Sequence, residues 1–170
     1  MTGTPEGAKE AGRELATAAE RLAVIRVEAD FLSREIGTIG VEPELREAVT
    51  ARAGALHREV QDAADGLEAI RAALGAGGAP GPRDASREGV TRNARLVREG
   101  LLEEVRKLDA LVRRLWKAEG ASRHGPVGLA ATLVTECATR ILNAYGDLSD
   151  ALARLETLAG GPAPGDPDPE

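Results

Sequence analysis

The chain has 170 residues, a formal net charge of −6 and 42 % apolar residues. It is long enough for one domain with a core and too apolar for compositional disorder. One Phe, one Trp and one Tyr leave little for an aromatic-lined cofactor pocket. A single cysteine rules out an internal disulfide, and two histidines make a protein-only zinc site hard to assemble.

Leu, Ile, Val and Phe together make up about a fifth of the chain, near the lower edge for a well-packed globule. Much of the rest of the apolar content is alanine. The composition therefore predicts a thin core, with helices packed closely through small side chains. The opening stretch M-T-G-T-P-E-G-A-K-E shows no basic segment followed by an apolar run, so no signal peptide is expected. No window approaches the roughly 18 apolar residues of a membrane helix. A cytoplasmic protein without a membrane segment is the expectation.

Residues 1–4 read as a short lead-in. Thr4-Pro5-Glu6 is a helix start: a hydroxyl cap, proline in the first turn, then an acid. The first helix is expected over 5–36. Its stripe is Leu15, Ala18, Leu22, Ile25, Ala29, Leu32 and Ile36, a coiled-coil-like spacing of threes and fours. Gly37 and Gly40 are its stop, through the left-handed cap that glycine accepts.

Glu42-Pro43-Glu44 opens the second helix, expected over 43–74. Its stripe runs Leu45, Val49, Leu56, Val60, Ala63, Leu67, Ile70 and Leu74. Ala53 fills the slot between Val49 and Leu56, with the Arg52 stem lying along the surface. Gly75 closes this helix and opens the linker 75–83, G-A-G-G-A-P-G-P-R, which reads as a hinge. The linker lacks the lysine and the preceding strand of a phosphate-binding loop.

Asp84 or Ser86 caps the third helix, expected over 84–119 with Gly120 as its stop. Val90, Ala94, Val97, Leu101, Val105, Leu108, Val112 and Leu115 form its single stripe. Gly125-Pro126 opens the fourth helix, expected over 126–159. Its stripe is Ala130, Val134, Cys137, Ile141, Tyr145, Leu148, Leu152 and Leu155. The tail 160–170, rich in proline and acids, is expected to be disordered.

Helices of this length are about 45 Å long. Short first and third connections make each pair antiparallel. The fold class is therefore all-α: an up-down-up-down antiparallel four-helix bundle built from two long hairpins, within 5–159. The alternative is a pair of hairpins that associate only on dimerisation.

Charge is unevenly placed. Residues 83–124 hold 11 Lys plus Arg against 7 Asp plus Glu; residues 1–82 hold 9 against 14, and residues 125–170 hold 2 against 7. One outward row of the third helix reads Arg92, Arg95, Glu99, Glu103, Arg106, Ala110, Arg113, Lys117. It reads either as a docking surface for an acidic partner or as charge that fixes which helices pair. Its two glutamates, its lack of aromatics and the acidic whole argue against nucleic acid.

Trp116, beside Leu115 in R-R-L-W-K, is either an interface anchor or a cap over the bundle's end; Phe31 poses the same choice. Gly54, Gly66 and Gly89 read as tolerated on solvent faces, whereas Gly100 and Gly146 lie nearer the stripe edges. Cys137 reads as a small buried hydrophobe rather than a thiolate nucleophile. The residues before His57 and His124 do not make the Glu-x-x-His pairs of a di-iron bundle. No catalytic set, metal site or cofactor site is expected.

The function expected is a non-enzymatic helical protein–protein interaction module. It would dock to a protein partner, or to itself, through Arg92, Arg95, Arg106, Arg113, Trp116 and Lys117. A small-molecule sensor or enzyme using a slot between helices is the alternative, with Tyr145, Arg52 and Cys137 the only polar groups near core slots. A third class is polyanion binding through the basic helix.

Overall fold

Proline stands first in three of the four helices, where its missing N–H costs nothing and its fixed φ already suits the helix. The computed structural model describes residues 5–76, 83–119 and 124–160. Its helices are α1 (Pro5–Glu35), α2 (Pro43–Ala76), α3 (Arg83–Glu119) and α4 (Pro126–Gly160). Glu6 and Glu44 follow the prolines of α1 and α2, placing acids against the positive end of the helix dipole.

The helix ends differ from the expected glycine caps. No described glycine has a left-handed backbone. Instead α1 tightens into a 3-10 turn, Ile36–Thr38. The Thr38 hydroxyl donates to the Glu35 carbonyl at 2.7 Å, and the Ile39 amide to the Ile36 carbonyl at 3.4 Å. Likewise α2 continues through Gly75 to Ala76, α3 begins at Arg83, and α4 includes Gly160. Ser86 lies inside α3 rather than capping it, and its hydroxyl donates to the Ala73 carbonyl of α2 at 2.6 Å. Thr4, Gly120, the lead-in 1–4, positions 77–82 of the linker, the tail beyond Gly160 and the side chain of Asp84 lie outside the described residues.

Each helix packs on two neighbours: α1 on α2 and α4, α3 on α2 and α4. The contacts fix their directions. Glu14, Arg21 and Glu28 of α1 pair with Arg154, Asp147 and Arg140 of α4, so one numbering rises as the other falls. Arg52–Glu104 and Ala73–Ser86 run α2 against α3. Arg98–Glu156 and Trp116–Thr135 do the same for α3 and α4. The result is a closely packed antiparallel four-helix bundle.

The core is the sum of the four stripes. Every stripe residue of α1 is buried, and Ala53 takes its expected slot in α2. Two positions are corrected. In α3 the buried residue is Leu111, while Val112 is half-buried. In α4 Ala144 is buried, while Tyr145 stands half-buried at the edge and its hydroxyl reaches the Arg98 carbonyl at 3.4 Å. The phenol has a polar end that needs a partner, so the alanine goes inside. Leu45 and Leu74, at the ends of the α2 stripe, are also only half-buried. Phe31 is half-buried and packed on the core. No described polar or charged residue is buried.

Two glycine assignments also change. A β-carbon on Gly66 would stand 2.6 Å from Val97 Cγ2, and one on Gly89 would stand 3.3 Å from Ala73 Cβ. Both glycines face the α2–α3 seam rather than solvent. Gly100 lies on the same seam, under the Glu59 carboxylate. At Gly146 a β-carbon would meet nothing within 4 Å.

Candidate interaction face

The cations of the bundle divide into two groups. One group holds the helices together. Arg52 reaches Glu104 at 3.3 Å across the α2–α3 seam, and Arg98 reaches Glu156 at 2.7 Å across the α3–α4 seam. Arg140 reaches Glu28 at 3.0 Å across the α1–α4 seam. On that same seam Arg21 and Arg154 sit at ion-pair distance from Asp147 and Glu14, though Arg21 Nε and Glu14 Oε2 lack directed hydrogen bonds. Charge therefore links neighbouring helices, but through Arg98 and Glu104 rather than through the outward row of the basic helix. Most of the α3 residues named from sequence take no part in it.

Arg92, Arg95, Arg106 and Lys117 are exposed and make no ion pair or hydrogen bond among the described residues. Arg114 joins them. Arg113 is also exposed, but it pairs with Asp109 one turn away at 2.6 Å. Among the described residues the unpaired acids of α3 are Glu88 and Glu99. In α1 the unpaired cations Lys9, Arg13, Arg26 and Arg34 are matched by Glu6, Glu10, Glu20 and Glu35. A surplus of unpaired positive charge is thus particular to α3.

Trp116 is 41 % exposed, and its indole N–H donates to Thr135 Oγ1 of α4 at 2.9 Å. It closes one end of the α3–α4 seam and still presents two fifths of its surface. Leu142 of α4, 53 % exposed, stands on the same heptad row as Thr135 and Glu156, both of which touch α3. Its exposure was not anticipated from the sequence; its adjacency to the core residue Ile141 was the available signal.

The other candidates fall elsewhere. His57 pairs with Asp30 at 3.2 Å on the α1–α2 surface, and His124 is exposed. Cys137 is buried, and its thiol is pushed up from 9.0 to about 12, first by burial and then by the neighbouring Glu28 carboxylate. Arg52 is held by Glu104. Tyr145 and Arg52 lie on different seams and do not converge on one slot.

A charged cluster missed by sequence lies on the α2–α3 seam. Glu59 stands beside Asp62 of its own helix and Glu104 of α3, with Lys107 opposite. Burial and the two like charges raise its pKa, and Lys107 offsets them in part. Glu104, only 13 % exposed, accepts hydrogen bonds from Arg52 and Lys107. Among the described residues no group of His, Cys, Asp and Glu is placed to hold a metal ion, and no described helix is long and apolar enough to cross a membrane. No protein-family model, curated protein or solved structure matches the chain.

Proposed function

We propose that the protein is a non-enzymatic helical interaction module, of adaptor or scaffold type, that docks to a protein partner through the outer face of α3. The observation that carries this reading is the division of cations. Those on the seams are paired, while Arg92, Arg95, Arg106 and Lys117 make no ion pair or hydrogen bond among the described residues. Long side chains held outward on a rigid helix steer an acidic surface and set its orientation. Trp116, fixed at one edge through its indole N–H, supplies an aromatic contact of the kind that interfaces favour. A cytoplasmic setting belongs to the same reading.

Arg106 and Lys117 give the cleanest test, because no ion pair or hydrogen bond among the described residues depends on them. The double change Arg106→Glu and Lys117→Glu should leave the denaturation midpoint almost unmoved and weaken partner binding. Unchanged binding would remove the α3 face from the proposal. Glu99 and Glu103 interrupt the row and favour a patterned protein surface over a uniform polyanion. Weak salt dependence of retention on a nucleic-acid column is the corresponding expectation.

A further inference from the structure

The outer row of α3 does not stand alone, because α4 beside it carries few charges on the same side: Glu136, paired with Arg140, and Asp150. Thr132, Thr135, Thr139, Gly146, Ala153 and Thr157 lie along that flank. The hydroxyls of Thr135, Thr139 and Thr157 donate to carbonyls four residues earlier, which folds them back onto their own helix. Glu156 is neutralised by Arg98. Among the described residues the polar links across this seam are Arg98 with Glu156 and Tyr145, and Trp116 with Thr135. Between them lie two leucines outside the core, Leu102 half-buried and Leu142 more than half exposed. Leu102 shares a heptad row with Arg95, Asp109 and Trp116, so it borders the seam from the α3 side. Of the acids on that row, Asp109 is neutralised by Arg113, while Glu88 is unpaired among the described residues.

We propose that this α3–α4 groove receives an acidic amphipathic helix from a partner protein. The helix would lay its apolar side on Leu102 and Leu142 and its carboxylates against Arg95 and Arg106. The inference rests on the interaction-module reading and specifies its site and its ligand. Charge complementarity selects the occupant: among the described residues the unpaired cations of this face, Arg92, Arg95, Arg106 and Lys117, outnumber its unpaired acids, Glu88, Glu99 and Asp150. The small side chains of Gly146 and Ala153 on the α4 flank let a helix backbone approach closely, as ridge-into-groove packing needs. The mode is an apolar helical stripe with anchors three and four residues apart, seated in a shallow groove.

The test is calorimetric titration with three synthetic peptides at low salt, with the emission of Trp116, the chain's one tryptophan, read in parallel. The first peptide is an amphipathic helix of leucine and glutamate. The second replaces every glutamate with lysine. The third keeps the first composition but scatters the leucines around the helix. The first should bind and shift the tryptophan emission, and the other two should not. Leu142→Thr, and separately Arg95→Glu with Arg106→Glu, should each weaken binding by about tenfold or more while leaving the melting temperature in place. Absence of binding by the first peptide overturns the groove, as does equal binding by the lysine or scattered peptide. Binding indifferent to Leu142 also overturns it. Lysate capture tests the interaction-module reading separately: a stoichiometric partner retained equally by the Leu142 and Arg95/Arg106 variants overturns the groove alone.

Discussion

Val97 packs its Cγ2 methyl over Gly66 so closely that a β-carbon there would stand 2.6 Å away. Val97 is buried at 3 % exposure and β-branched, so it has little freedom to move aside. Gly66→Ala gains about 1 kcal/mol of helix propensity but overpacks a stiff neighbour, which typically costs about 1–3 kcal/mol. The expected net result is a loss of about 1 kcal/mol in urea denaturation. Gly146→Ala, with open space above it, should gain about 0.5–1 kcal/mol. Adding Val97→Ala to Gly66→Ala should cost less than the sum of the two single changes.

Glu59 differs from a buried methyl group because its carboxylate is the mobile end of a long side chain. Gly100→Ala should therefore push the carboxylate outward and cost less than Gly66→Ala. The raised pKa means that the folded state binds the Glu59 proton more tightly than the unfolded chain does. Ionised Glu59 therefore works against folding at neutral pH, and the penalty is relieved as pH falls through the raised folded pKa. Glu59→Gln should stabilise the protein at pH 7 and lose that advantage in acid below the ordinary carboxylate range. Denaturation midpoints at the two pH values measure this, and a destabilised Gln variant at pH 7 would contradict it.

Cys137 should be inert in the folded protein. With its thiol pushed up to about 12 and its side chain buried, almost no accessible thiolate exists at pH 8. Alkylation by iodoacetamide should be slow natively and fast in denaturant. Because the folded thiol titrates above its unfolded value of 9.0, its contribution to stability is full below that value and is lost as pH rises toward 12. Rapid native labelling at neutral pH would show an opening of α4 that the packing does not predict.

Trp116 and Thr135 tie α3 to α4 by one hydrogen bond of 2.9 Å at a partly exposed edge. Trp116→Phe keeps most of the ring and removes the donor, so the expected loss is about 0.5–1 kcal/mol. Thr135→Val removes the acceptor and should cost a similar amount, and the double change should cost little more than either alone. Full additivity in the cycle would show that the bond contributes nothing.

The helices were legible because their stripes repeat over about six to eight turns and because proline marks three starts. Periodicity gave the buried face but not its edges. Leu111 against Val112 and Ala144 against Tyr145 are decisions made by the neighbouring helix, which sequence spacing does not contain. Gly66 and Gly89 were misread for the same reason, since a glycine on a helix flank looks solvent-facing until the partner helix is in place. Individual cations of α3 were assigned outward correctly, whereas the pairing of Arg98, Arg113 and Arg52 depends on residues 4 to 58 positions away. The Glu59 cluster needed α2 and α3 together, and no local pattern announced it.

The most direct measurement is capture from native lysate at low salt, comparing the tagged wild-type chain with an Arg95→Glu, Arg106→Glu variant of equal melting temperature. The account predicts a stoichiometric protein partner that the wild type retains and the variant releases. A partner held equally by both would contradict the α3 face. A clean monomer that retains nothing would contradict the interaction module itself.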